Sequence, residues 1–407
     1  MTVPAVSPDG RLLIVSRGVR GVADGAVAVA LSAYLTHLGF SGRRIGLIVT
    51  CMLIGSALLT LLVGLRGHHM VRRRTLQIAA ITMVATGLVY ATSTTFAVLL
   101  IVGFIGTLNP SGGDVSIFAP IEQSLVPATT ADHTRTAVFA RYAFVGSVCG
   151  AIGSLSAGLP DWLAGLADAD PDAALRWVFV AYALAGVAVF AVYRSLSPAV
   201  EPPSHERPTP LGPSRPIVMR LAAVFSLDSF GGGFVVQSLL ALWLFRRYDL
   251  SVPAAGALLF WMGVCAAVSA FASARLAKRI GLVRTMVFTH MPAQVFLIAA
   301  ALMPRLWLAV VFLILRSLLS AMDVPARNSY VMAVVSPPER AAAASVTNVP
   351  RGLAAALPPV AAGWMLDHST FGWPLVLAGS IKLVYDVLLL MMFRNLRPPE
   401  EQVALAG

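Results

Sequence analysis

The sequence predicts an all-α integral membrane protein with twelve transmembrane helices in two related six-helix bundles, and three observations predict it. Of the 407 residues, 57% are hydrophobic and only 12% charged, with a mean hydropathy of +0.80. A soluble domain carries roughly 25% charged residues, so this much apolar surface needs a bilayer as its solvent. The apolar residues also fall into runs of about 20, the length that crosses a hydrocarbon core as a helix. Finally, the second half repeats landmarks of the first at a nearly constant offset.

In chain order the apolar runs place spans at 12–37, 45–65, 75–93, 95–124, 136–158 and 176–195, then at 217–244, 254–274, 285–303, 306–333, 341–365 and 373–393. The fourth and tenth are longer than one crossing and are interrupted, by Asn109-Pro110-Ser111-Gly112-Gly113 and by Pro325. Tilted or kinked helices are expected there. The first run contains Arg17, Arg20 and Asp24 and lacks a small-residue cleavage site, so it reads as a retained helix rather than a signal peptide. Segment 195–216 holds seven prolines together with Glu201, His205, Glu206, Arg207 and Arg215. Such a stretch cannot continue a helix. The expected organisation is therefore a bundle over 1–194, a linker over 195–216 and a second bundle over 217–407.

Shifted by 205 positions, Pro120, Ser124, Arg135 and Gly158 fall on Pro325, Ser329, Arg340 and Gly363, and Gln123 meets Asn328. Asp24 has its counterpart at Asp228 and Gly46 at Gly256, at shifts of 204 and 210. The preserved order indicates a duplicated six-helix unit. Parallel repeats of this kind pack about a pseudo-two-fold axis along the membrane normal.

Loop charges orient the chain. Seventeen basic residues gather on one side, among them Arg66, Arg72, Arg73, Arg74, Arg194, Arg275, Lys278, Arg279 and Arg284, against Arg43, Arg44, Arg176, Arg246, Arg247 and Arg305 on the other. By the positive-inside bias both termini and the linker are cytoplasmic, in a cytoplasmic (inner) membrane. Much of the net charge of +11 is thereby topology signal, not a nucleic-acid surface.

Other chemistry is excluded by what the sequence lacks. Cys51, Cys149 and Cys265 stand apart in apolar stretches, without metal or redox spacing. No Walker loop, H-E-x-x-H or G-x-S-x-G occurs, and His68-His69 has no third ligand nearby. No metal, cofactor or enzymatic activity is expected, and transport cannot run on nucleotide hydrolysis in this chain.

Six plus six helices, a cytoplasmic central linker and a basic loop between the second and third spans resemble the major facilitator superfamily over essentially the whole chain. The family's loop pattern, Gly-x-Leu-x-Asp-Arg-x-Gly-Arg-Arg, is read here as Gly64-Leu65-Arg66-Gly67-His68-His69-Met70-Val71-Arg72-Arg73. The outer Gly and the Arg pair match, while His68 and His69 replace the acid and its Arg. The second half repeats the pattern from Ala274 to Arg284, where Arg279 and Gly281 fit and Lys278 stands in place of the acid. In the family that acid helps latch a cytoplasmic gate, so here the latch is either lost or built from other residues. A glycine series in the fifth span (Gly146, Gly150, Gly153, Gly158) is similar to that of drug–proton antiporters, with Ala151 where a proline is expected. Its plainer meaning is close helix packing through small residues. The resemblance implies a monomeric secondary transporter of a small organic solute, exporting it against protons by rocking two bundles. The alternatives are an organic-anion carrier or facilitator, and a non-transporting sensor or assembly protein on the same scaffold.

Ionisable groups inside spans cost on the order of 2.5–3.5 kcal/mol each on insertion scales and usually face a cavity or a partner. Thirteen qualify, seven basic and six acidic. Lys382 with Asp386, and Arg327 with Asp323, stand four residues apart and are expected to pair on their own helices. Arg17 is expected to snorkel to the cytoplasmic surface. Asp24, one turn beyond Arg20 and repeated as Asp228, is either a proton carrier or substrate contact, or the permanent partner of Arg20. Asp114, Glu122 and Arg141 form a second set, and Glu122 maps onto Arg327, as a cross-bundle gate or as two local pairs. Arg141, Arg316 and Arg351 have no partner by spacing; two of them facing one cavity would favour an anionic solute, because Arg grips carboxylate or phosphate bidentately.

Overall fold

The computed structural model describes residues 7–66, 70–111, 117–125, 135–167, 171–201, 211–336 and 339–394, in which helices are joined by short connections with no strand among them. The first three spans are unbroken: α1 (Pro8–His37), α2 (Gly42–Arg66) and α3 (Arg72–Thr92). The start of α1 has a physical cause. Ser7 caps it by accepting the Gly10 N–H at 3.0 Å, Pro8 opens the first turn and Asp9 follows. The fourth span is split into α4 (Phe96–Ile105) and α5 (Phe118–Leu125), as its Pro-Gly interruption predicts. Non-helical backbone at membrane depth must be satisfied by protein. Here Asn109 Oδ1 accepts the backbone N–H of Ser111 at 3.0 Å, and the Pro110 carbonyl accepts the Ser238 N–H at 3.1 Å.

The remaining helices are α6 (Arg135–Ser156), α7 (Leu159–Ala167), α8 (Pro171–Arg194), α9 (Arg215–Gly233), α10 (Gln237–Tyr248) and α11 (Val252–Ile280). They are followed by α12 (Leu282–Leu302), α13 (Leu306–Ser320), α14 (Asp323–Val334), α15 (Arg340–Ala356), α16 (Pro358–His368) and α17 (Trp373–Phe393). Every expected span is thus met by helix. Two breaks were not anticipated: after the Gly231-Gly232-Gly233 run in the seventh span, and before Pro358-Pro359 in the eleventh. Among the described residues nine segments are long and apolar enough to cross a membrane. The first helix falls short of that criterion for a chemical reason, since Asp9, Arg11, Arg17, Arg20 and Asp24 all lie on it.

The chain divides into two compact units, Met1–Glu206 with Val236–Phe260, and Arg207–Val235 with Trp261–Gly407. In the first, α1 packs on α6 and α8, and α3 on α8. The α1–α6 seam is a backbone contact. A Cβ on Gly25 would overlap the Gly150 carbonyl, and one on Gly153 would overlap that of Val22. The glycine series therefore serves packing, as small residues between membrane helices do. Tyr34, Tyr90 and Phe179 fill the core beside it, with the Tyr34 hydroxyl donating to the Tyr90 carbonyl at 2.6 Å. In the second unit α9 packs on α15 and α17, and α12 on α13, α14 and α17. Phe225, Met286, Tyr330, Tyr385 and Phe393 form its core.

Large apolar side chains face outward as well. Ile78, Trp177, Leu184 and Met391 are each more than 60% exposed, a surface suited to lipid rather than water. Trp162, Trp177, Trp307, Trp364 and Trp373 are all exposed and lie near helix ends flanking the less basic loops. Tryptophans prefer that interfacial level of a bilayer.

Candidate functional site

Each unit buries one cluster of charges. In the first, Glu122 on α5 is fully buried and is the hub. It accepts hydrogen bonds from Ser16 Oγ at 2.5 Å, Tyr142 OH at 2.5 Å and Tyr193 OH at 2.7 Å, and forms an ion pair with Arg20. Four helices, α1, α5, α6 and α8, meet on this carboxylate. The Arg20 guanidinium also lies 4.4 Å over the Phe118 ring. Sequence spacing offered Asp24 to Arg20 and missed Glu122, which reaches the guanidinium across helices from α5. Asp24 is buried one turn further along and lies within electrostatic reach of Tyr182, whose hydroxyl is 3.0 Å from Thr107 Oγ1. Arg17 does not snorkel. It is buried at 7% exposure, 5.7 Å over the Tyr142 ring, in space left open by the missing side chain of Gly146. Arg141 is half-buried on α6.

The second cluster centres on Asp228 of α9. Its carboxylate accepts Lys382 Nζ at 2.6 Å and Arg327 Nη1 at 3.1 Å, and His290 Nε2 lies 3.7 Å away. The other ring nitrogen of His290, Nδ1, is 2.9 Å from Asp386 Oδ1. Arg327 also reaches Asp323 at 3.4 Å, the expected same-helix pair. The expected Lys382–Asp386 pair is replaced: Lys382 turns to Asp228 and Asp386 to His290, since charged partners on α9 and α12 are nearer than one turn along α17. Arg351 donates from Nε to Ser229 Oγ at 3.2 Å and, like half-buried Arg316, lies within electrostatic reach of Asp228. Glu122 and Arg327, matched by the repeat, thus belong to two local networks, each inside its own unit.

Sequence reasoning missed several members. His290, Ser16, Tyr142 and Tyr193 were not singled out, although a histidine in the middle of an apolar run is itself a signal. Gln294, one turn beyond His290, is fully buried with neither amide atom hydrogen-bonded, and the buried Tyr385 hydroxyl also lacks a partner. Buried polar atoms in that state are costly, and the Tyr385 hydroxyl lies within electrostatic reach of both Asp228 and Asp386.

The expected gating loops are mostly helix. Arg72 and Arg73 form the first turn of α3, and their backbone N–H groups donate to Glu201 at 3.2 and 2.9 Å. Arg72 also reaches the Ser124 carbonyl at 3.2 Å. Glu201 of the linker thus caps the first turn of α3. Lys278 and Arg279 lie on α11, which runs on to Ile280, because Arg, Leu, Ala and Lys are strong helix formers. The turn is left to Gly281 alone, at φ 88°. Asp114 and His68 lie outside the described residues, and Gly64 and Lys278 are placed by their helix backbone only.

The comparisons agree with this architecture. A family model described as Major Facilitator Superfamily matches residues 13–290 and 221–406. The uncharacterized membrane protein YJR124C of Saccharomyces cerevisiae is 24% identical over 423 aligned positions, covering 95% of this chain and 94% of its own. Among solved structures, the nucleoside transporter NupG superposes with a TM-score of 0.73 at 14% identity, over 95% of this chain and 99% of that one. The human organic anion transporter MFSD10 gives 0.65 at 18% identity, over 94% and 100%. A bacterial homologue of the human lysosomal transporter Spinster, inward-facing and occupied, gives 0.70 at 17% identity, over 94% of each chain. At such identities the likeness to solved structures is one of fold.

Proposed function

The chain belongs to the Major Facilitator Superfamily, and we propose that it is a proton-coupled secondary transporter exporting a small organic solute by alternating access. One observation carries this reading: Asp386, His290 and Asp228 form a continuous path of exchangeable sites, with a carboxylate facing each nitrogen of one buried imidazole. Ionisable groups at membrane depth are kept for pathways and relays. A proton entering at Asp386 can be taken up by Nδ1 of the Nε2–H tautomer, and the Nε2 proton is then released to Asp228. Neutralising Asp228 would release Lys382 and Arg327 from it, converting protonation into a change of helix contacts. Asp24, the repeat counterpart of Asp228, is proposed as a second carrier. Outward direction rests on the likeness of the fifth-span glycines to those of drug–proton antiporters, in addition to the packing they provide here, and residence in the cytoplasmic membrane with both termini inside rests on the loop charges.

The test is reconstitution into liposomes with an imposed pH gradient and a panel of cationic, neutral and anionic solutes, including a nucleoside. Gradient-dependent flux of at least one solute, lost in His290→Gln, is expected. Flux that ignores the gradient, or none across the panel, would falsify the reading.

A second reading has its own observation. Arg316 and Arg351 both converge electrostatically on Asp228, and with Arg327 and Lys382 they outnumber Asp228, Asp323 and Asp386. Such a surplus suits an organic anion. It predicts that anionic members of the panel compete best and that Arg351→Gln raises KM for them more than it lowers kcat.

A further inference from the structure

A separate basic cavity lies at the loop end of α3 and α8 within the first unit. It measures about 430 Å³ and is lined by Arg73, Arg74 and Arg194, with Gln77, Phe190 and Glu201 among the others. Three guanidinium groups face one carboxylate, and that carboxylate is engaged by the backbone N–H groups of Arg72 and Arg73. Arg73 donates through Nη2 to the Arg194 carbonyl, while its buried Nε has no hydrogen-bond partner. Arg74 is exposed and has no ion pair among the described residues. The cavity therefore carries uncompensated positive charge at the bundle end where the chain's basic loops gather.

The surface leading away from it is apolar. Along α3, Ile78 and Ile81 follow Arg74 at helical spacing, 64% and 55% exposed. Along α8, Val187 and Leu184 lie one and two turns back from the Phe190–Arg194 turn, 52% and 64% exposed. Since α3 and α8 pack together, these residues continue the lining of the cavity along both helices, Ile78 and Ile81 over the ~10 Å of α3 beyond Arg74 at 1.5 Å per residue, with Val187 and Leu184 of α8 further on, level with Val84 and Gly87. A cationic head above a paired apolar stripe is the complement of one molecule type.

We propose that this cavity binds the headgroup phosphate of an anionic phospholipid, with its acyl chains lying along the exposed faces of α3 and α8. Basic pockets between helices near the cytoplasmic surface favour such headgroups, and each Lys or Arg contributes about fivefold in affinity. The site is distinct from both buried charge clusters and shares no residue with them.

The test uses the full chain in neutral detergent, read by native mass spectrometry with phosphatidylglycerol and, separately, phosphatidylcholine. Phosphatidylglycerol adducts are expected to dominate. The double variant Arg74→Gln/Arg194→Gln should weaken them about 25-fold, whereas Arg43→Gln/Arg44→Gln, at the start of α2, should leave them unchanged. Arg74→Gln alone changes only an exposed side chain and should cost about fivefold, which keeps the test sound if the double variant does not fold. Equal binding of phosphatidylcholine, an undiminished adduct in either Arg74 variant, or an equal loss in the α2 variant would overturn the proposal. So would displacement of the lipid by millimolar inorganic phosphate, which would assign the arginines to a free phosphate instead.

Discussion

The two units solve the same problem with opposite signs. In each, an ion pair ties the first span to the fourth: Arg20 to Glu122 in one, Asp228 to Arg327 in the other. The cation sits on the first span in the N-terminal unit and on the fourth in the C-terminal one. Duplication has kept the link and lost its polarity. What surrounds the link differs more. Glu122 is engaged by Arg20 and three hydroxyl donors, all within one set of four helices. Asp228 shares its surroundings with a lysine, an arginine and a histidine that leads to a second carboxylate. The first arrangement braces, and the second can exchange partners.

Substitutions can break that distinction. The largest effect is expected at Glu122→Gln, which breaks the fully buried ion pair with Arg20 and should cost about 3–5 kcal/mol, read as a lowered unfolding temperature in detergent. Asp228→Asn should cost less, about 1–3 kcal/mol, because Arg327 retains Asp323, yet it should abolish gradient-driven flux. Equal destabilisation by the two variants would erase the contrast between brace and relay. A smaller change is expected from His290→Gln, which keeps a polar side chain at the site: folding should hold while transport loses its dependence on the pH gradient. Asp24→Asn sharpens the comparison from the other side, since unchanged flux in that variant would confine coupling to the second unit.

The smallest effect is expected at the loop end of the second unit. Burial alone would raise the Glu339 carboxyl, but hydrogen bonds from Ser214, Ser336 and the Gly212 backbone hold it below its ordinary value. A depressed carboxyl stabilises above its unfolded pKa of about 4.3 and loses that contribution as pH falls through the folded value. Glu339→Gln should therefore lower the unfolding midpoint slightly at neutral pH and leave it equal to the parent in acid.

The spans were readable because hydropathy at a length of about 20 residues is a property of the chain itself. The break at 109–113 was readable for the same reason, being written in Pro and Gly. Pro358-Pro359 was an equally local sign and went unused, whereas the seventh-span break follows three glycines that a hydropathy walk passes over. Partners were a different matter. Spacing found Arg327–Asp323, since four residues make one helical turn, but it also proposed Lys382–Asp386, where cross-helix neighbours won. Nothing in one helix states what stands opposite it, so the Glu122 hub, assembled from four helices, lay beyond sequence reasoning. His290 lies outside any reading of intramembrane charge restricted to Lys, Arg, Asp and Glu.

The α1–α6 seam has a consequence for heredity. At Gly25 and Gly153 the neighbouring backbone occupies the place of a side chain, so every missense codon reachable from glycine by one base change introduces an atom that does not fit. These two positions have no mutational neighbours. A lineage can alter the charges of its transport path one at a time, but it can move this seam only by changing both helices at once.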